Sequence, residues 1–356
     1  MLLTCALLLP TLLPAALPQS RVSQIDGSMQ GGKLTVAALE TVTLEDADGD
    51  ARDFPAGNLL SVTPGPMPEM ILSGEAFLRD LDYQNASSSF EAAAAGGGDF
   101  WVAPYASLRH AESLLAWAQA DRARAGDAAK AFRSWSEANP DSFWLPRAQM
   151  GAAQAMAMSG DVDGATSLMQ KLADTAFEKN LGRHVELQVN LVRCESFLIG
   201  GQAEVAEARL RDLVVKLEEA VRNPQAPSGT KGLYASMNSR AQILLGDAIT
   251  EKDGVRTAAS YWQGLADDRN ASADVRAAAW IGIARSAREG GQPRQAQLQL
   301  AKVVATLPAS DEVMARALYE LGEVSKELGN NPTSGDTYHQ RLLERYPNTS
   351  WAAKVR

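Results

Sequence analysis

Four arginines, Arg147, Arg240, Arg276 and Arg316, stand at the same place in a loosely repeated stretch of sequence. After each of the last three, a glycine follows six residues on (Gly246, Gly282, Gly322) and another closes the stretch (Gly254, Gly290, Gly329). After Arg147 the same places hold Ala153 and Gly160. A guanidinium is a permanent cation whose planar fork donates two parallel hydrogen bonds to a carboxylate. A column of such groups suits an acidic segment or the C-terminal carboxylate of a peptide. The same arginines could instead pair with acids of a neighbouring repeat or stay solvated, and such surface pairs contribute only about 0–1 kcal/mol.

Other residues capable of chemistry are scattered. His110, His184 and His339 fall in different repeats, without the paired His, Cys or Asp spacing of a metal site. The run "DADGD" (46–50) opens like a calcium loop, but Ala51 stands where glycine is needed and Gly57 where the bidentate glutamate belongs, so a solvated hairpin tip is expected. There is no phosphate-loop, dinucleotide-glycine or serine-elbow motif. "AAAAGGGDFW" (92–101) reads as a helix end and linker. Paired catalytic carboxylates would serve a glycosidase, but 43 acidic residues select no pair. The expectation is a chain that is not an enzyme and holds no cofactor or metal. Cys194, within the apolar-periodic run "VELQVNLVRCESFLI", is expected to be buried filler. Trp117, Trp135, Trp262 and Trp280 lie on apolar stripes and are assigned to the core.

A net charge of −9, with 34 basic against 43 acidic residues and no basic cluster, argues against nucleic acid. Residues 1–20, "MLLTCALLLPTLLPAALPQS", form an uncharged apolar run interrupted by Pro10, Pro14 and Pro18. They read as a secretory signal peptide with Ala16 or Ser20 as its last residue, despite the missing basic start. Cys5 precedes the apolar segment, so lipidation there is not expected. Nothing after residue 20 has the length of uninterrupted apolar sequence that an integral membrane span requires.

The elements that position the arginines can be read from the turn residues. Residues 21–63 alternate short Val-, Leu- and Thr-rich runs with Gly and Asp turns, predicting a small antiparallel β module that leans on the helical chain after it. Residues 64–68 form a Pro-rich linker carrying Pro64, Pro66 and Pro68. From 69 to 356 the pattern is helical, and the copies headed by Arg240, Arg276 and Arg316 start 36 and 40 residues apart. That period, with two helices per copy, predicts an α-solenoid of about seven helix pairs with a C-terminal capping helix in "TSWAAKV". A small residue mid-helix admits the second helix closely, and the closing glycine can take the positive φ that ends the first. Three second helices carry a small residue twelve positions before a proline stop: Ala128 and Pro140, Ala296 and Pro308, Gly335 and Pro347; residues 183–223 and 229–268 lack the proline in register.

Gly282, Ala296 and Pro308 echo the small, small and proline positions of the tetratricopeptide repeat family, which the chain resembles. The resemblance is good in the last two units and weaker elsewhere, and the ending "LLERYPNTSWAAKVR" looks like the repeats of bacterial envelope proteins of the Tol-Pal coordinator and outer-membrane assembly groups. It implies that the first helix of each pair lines a concave groove and that Arg147, Arg240, Arg276 and Arg316, with Arg109 and Arg183 in comparable places, face a bound partner. The expected function is a non-catalytic protein–protein interaction scaffold of the periplasm or cell envelope, binding a protein or peptide. A helical-repeat hydrolase without a recognisable motif and a self-assembling envelope component are the alternatives. The N-x-S triplets at Asn85, Asn270 and Asn348 would matter only in a eukaryotic secretory pathway.

Overall fold

The computed structural model describes residues 19–329, 334–347 and 349–356. Most of the proposed signal peptide, residues 1–18, and Asn348 lie outside them. Five strands, β1 (Ser20–Gln24), β2 (Met29–Ala37), β3 (Thr41–Glu45), β4 (Ala51–Pro55) and β5 (Leu59–Thr63), form an antiparallel sheet in the order β4-β3-β2-β1-β5. The hairpin joining β3 to β4 is closed by Gly49 at φ +87°, and the Asp46 carboxylate accepts the N–H groups of Asp48 and Asp50 at 3.0 Å. That aspartate caps its own turn, as a hairpin tip requires.

The sheet begins one residue earlier than the sequence suggests. Ser20 is fully buried in β1, and its Oγ both donates to the Gly65 carbonyl and accepts from the Gly65 N–H, each at 3.0 Å. A chain cut after Ser20 would lose this clasp, whereas a cut after Ala16 keeps it. The Pro-rich segment is therefore pinned to the sheet, and Pro68 is the N-cap of the first helix.

Seven helix hairpins follow: α1 (Glu69–Arg79) with α2 (Tyr83–Ala95), α3 (Val102–Ala120) with α4 (Ala125–Ala138), α5 (Leu145–Ser159) with α6 (Val162–Glu178), and α7 (Arg183–Ile199) with α8 (Ala203–Arg222). The remaining three are α9 (Ser228–Asp253) with α10 (Val255–Asp267), α11 (Ala273–Glu289) with α12 (Pro293–Thr306), and α13 (Asp311–Leu328) with α14 (Ser334–Arg345), before the short α15 (Ser350–Ala353). The first helices from α3 to α13 stack on one another as an inner layer.

The small mid-helix positions do what close packing demands. A Cβ on Gly246 would run into the six-membered ring of the Trp262 indole and one on Gly282 into its five-membered ring, and one on Gly322 would meet the His339 ring. Gly160, Gly254 and Gly329 take the positive φ expected of closing glycines. In the remaining copy Gly290 is at −74° and Gly291 takes the turn at +76°, one residue later than the sequence frame places it. Ala128, Ala296 and Gly335 are buried on their second helices, and these helices stop at Ala138, Thr306 and Arg345, before their prolines.

The sheet and the solenoid share a core. Val22, Val42 and Leu59 from the strands belong to the same apolar cluster as Phe90, Trp101, Phe132 and Trp144. Turns of the β module lie against three successive inter-repeat junctions: Leu39 donates its N–H to Asp141 O at 2.7 Å, Lys179 pairs with Glu40 at 2.7 Å, and Gly229, in the first turn of α9, donates to Ile25 O at 2.8 Å. Trp135 and Trp262 are core residues and Trp280 borders the core, as expected. Trp117 departs from its assignment: it lies outside the apolar clusters, stacked on Tyr83 at 6.3 Å with the Arg124 guanidinium 4.3 Å from its ring. Cys194 is buried, and burial pushes its thiol up to about 12, which keeps it protonated and unreactive. No helix among the described residues is long and apolar enough to cross a membrane.

His184, at the first turn of α7, supports the seam between sheet and solenoid. Burial holds its imidazole below the ordinary 6.5, against a raising hydrogen bond to the Leu59 backbone. The unfolded chain then binds the proton more readily than the folded one, so stability contributed here is complete above pH 6.5 and declines as pH falls below it. Denaturant melts at a series of pH values should show this decline, and His184→Phe should flatten it. An unchanged slope in the variant would assign the acid sensitivity to other groups.

Candidate functional site

The concave face is built from the first helices, and the arginines singled out in the sequence fall on them together with a set of acids. Arg109 grips both oxygens of Glu75, Nε to Oε1 at 2.6 Å and Nη2 to Oε2 at 2.7 Å, and also bonds Glu112 on its own helix. Burial opposes the charge on Arg109, but hydrogen bonds and the charges of Glu75 and Glu112 outweigh it and hold the guanidinium above its ordinary value. Glu112 also takes Arg147 of α5, whose Nη2 reaches Oε2 at 2.6 Å while its Nε bonds Oε1. Further along, Gln154 and Arg240 converge on Glu195 of α7, at 3.4 and 2.9 Å. Arg316 spans two repeats to hold Asp247 with both terminal nitrogens, at 2.7 and 3.0 Å.

The column is therefore a ladder of alternating charge that stitches successive repeats, rather than a bare cationic strip. Burial disfavours the charge on both Arg240 and Arg316, and the neighbouring carboxylates, Glu195 and Asp247 foremost, overcome this and raise each above its ordinary value. Arg276 differs from the other three: it forms no ion pair among the described residues, and its buried Nε has no hydrogen-bond partner. Arg183 lies apart, lining a small pocket between Ile25 and Gly57, in turns of the β module, and Tyr234 of α9.

Two clefts open along the later repeats. One, of about 550 Å³, lies between α9 and the starts of α11 and α13, lined by Ser236, Ser239, Arg240, Asp274, Ser310 and Glu312 among others. Its rim is organised internally: Ser239 Oγ donates to Ser272 Oγ at 2.9 Å, and Asp274 accepts the Ser310 N–H at 2.6 Å. The other, of about 450 Å³, lies at the C-terminal end, lined by Glu323, Lys326, His339 and Lys354. No group of three or more His, Cys, Asp or Glu among the described residues is arranged to hold a metal.

The chain is an α-helical solenoid of stacked hairpins with a small antiparallel sheet at its N-terminal end. No protein-family model matches the sequence, and no curated protein does. Among solved structures, it is similar to the apo form of the quorum sensor NprR from B. thuringiensis, with 13% identity and a TM-score of 0.44 over 77% of this chain and 74% of that one. It is similar also to NprR in complex with its cognate peptide NprX, with 13% identity and a TM-score of 0.45 over 80% of each chain. The apo form of RapI gives 10% identity and a TM-score of 0.45 over 81% and 79%.

The superhelix curves far enough for its ends to meet. α15 packs against α13 and also comes up against α3, and the Arg356 charge is felt at Tyr83. Lys354, exposed at the end of α15, lies 3.6 Å from the Trp351 ring centroid, and burial and then the Arg316 charge lower its pKa. The acids of the ladder were missed by sequence reasoning. Asp247 could have been found, since it follows Arg240 by seven residues, two helical turns on one face.

Proposed function

We propose that this protein is a non-catalytic scaffold of the bacterial cell envelope that captures a peptide or domain of a partner protein on the concave face of its solenoid. The observation that carries this reading is the cleft across α9, α11 and α13, where the half-exposed Arg240 stands among serine hydroxyls on an otherwise continuous inner layer. A partner carboxylate there competes with Glu195 for Arg240, and Arg276, on α11 beside the cleft and without an ion pair among the described residues, would have to turn toward it. Recognition then comes from apolar and hydroxyl contacts, with the two arginines selecting for acceptors. The envelope setting rests on the apolar run at 1–20, with the mature N-terminus ahead of Ser20 so that the clasp on Gly65 survives.

Crosslinking capture from an envelope extract tests the binding reading, with Arg240→Ala and Arg276→Ala as paired controls. The partner is expected to be held by the parent chain and lost at least about tenfold from the double variant, the scale of a charge-assisted contact. Equal retention by both would remove the arginines from recognition. N-terminal sequencing of the fractionated protein tests the setting, and an uncleaved chain retained in the cytoplasm would overturn it.

A further inference from the structure

A third cavity, of about 230 Å³, lies at the seam between sheet and solenoid, with β5 on one side and the starts of α5 and α7 on the other. Its walls are largely apolar, from Leu39, Val62, Met150, Leu181 and Val185. The polar groups reaching it include Trp144, Arg147, His184 and Gln188, and none of its lining residues is acidic in a chain that carries 43 Asp and Glu. Trp144 is 3% exposed, and its indole N–H has no hydrogen-bond partner. A buried donor left in that state costs about 1–3 kcal/mol, so the site favours anything that brings an acceptor. Both helices beginning at the cavity, of 15 and 17 residues, have N-caps without a capping side chain, Trp144 and Gly182. Their dipoles favour negative charge there. Arg147 gives Nε and Nη2 to Glu112, leaving Nη1 outside that bidentate pair.

We propose that this seam cavity binds an apolar carboxylate, its tail seated on the Leu39, Met150 and Val185 wall and its carboxylate directed to Arg147 and the Trp144 N–H. The volume falls below the roughly 300–1,000 Å³ of drug-sized sites, which fits a tail of one side chain. The same chemistry is offered by a free short-chain or aromatic acid and by the C-terminal residue of a peptide. The proposal shares only Arg147 with the concave ladder and does not depend on the groove reading.

Calorimetric titration of the full chain tests it, using isocaproate, phenylacetate and a leucine-terminated peptide, each against its neutral amide. The acids are expected to bind at least about tenfold more tightly than the amides, the value of one charge-assisted contact. Arg147→Gln and Trp144→Phe should each weaken the acid by about three- to tenfold, while Arg222→Ala, exposed on the second helix α8, leaves it unchanged. Tighter binding of the peptide than of isocaproate would identify a C-terminal residue as the guest, and equal binding a free acid. Should Trp144→Phe fail to fold, the half-exposed Arg147→Gln decides. Absence of saturable binding, equal affinity for acid and amide, or indifference to Arg147→Gln would overturn the proposal.

Discussion

Trp262→Ala is expected to lower the unfolding free energy by about 3–5 kcal/mol, the cost of truncating a large buried aromatic whose site cannot collapse. The indole is 1% exposed, donates from Nε1 to Thr250 Oγ1 at 3.2 Å, and is wedged between the bare helix faces at Gly246 and Gly282. Because these glycines belong to successive repeats, one side chain fills both a hairpin and the interface to the next. In a solenoid, stability is the sum of repeat and nearest-neighbour terms, so this deletion weakens two of them together. Adding volume at the same contact is costly too. Gly246→Ala places a methyl inside the ring and should cost about 1–3 kcal/mol by overpacking. Combining it with Trp262→Phe should cost less than the sum of the two single changes. Urea denaturation read by circular dichroism measures all of these, and a Trp262→Ala loss under about 1 kcal/mol would show that the wedge is not structural.

The second large effect is expected at Arg316. It is 8% exposed, holds Asp247 with two hydrogen bonds, and lies 5.4 Å from the Trp351 ring centroid. Arg316→Ala leaves the carboxylate of Asp247 facing a low-dielectric gap, and removing one partner of such a pair costs about 3–5 kcal/mol when it is buried. Asp247 keeps about a third of its side-chain exposure, so a loss of about 2–4 kcal/mol is expected here. Replacing both members with apolar groups, Arg316→Met with Asp247→Leu, should restore stability to within about 1 kcal/mol of the parent, because desolvation of two charges offsets most of their attraction. If the double variant is as unstable as the single, the packing of the guanidinium on Trp351 matters more than the ion pair. Arg276→Ala, with no ion pair to break, should stay within about 0.5 kcal/mol. An alanine change at Arg316 is therefore a poor probe of binding, since it perturbs folding first.

Much of this architecture is visible in the residue order, for identifiable reasons. Closing glycines, proline stops and small mid-helix residues are local constraints, so the hairpins can be counted from them, and the alternation in 21–63 exposes the strands. The partners of the arginines are another matter. Glu75 lies 34 residues from Arg109 and Glu195 lies 45 from Arg240, on different helices, so only stacking reveals which acids meet which bases. The 43 acidic residues gave no ground for choosing among them. Nothing in the residue order singles out Trp144, and its unpaired donor becomes visible only once β5 and α7 are in place. Likewise, the return of α15 to α3 depends on curvature accumulated over seven hairpins, which no single repeat encodes.

Site-specific photocrosslinking tests the central claim most directly. A photoreactive amino acid placed at Ser239, in the cleft of the inner layer, is compared in cells with one at Val215, exposed on the second helix α8. Capture by the concave face predicts a discrete crosslinked species from Ser239 that is lost with Arg240→Ala and Arg276→Ala, and none from Val215. A partner trapped from Val215 but not from Ser239 would contradict the account and move recognition to the outer face.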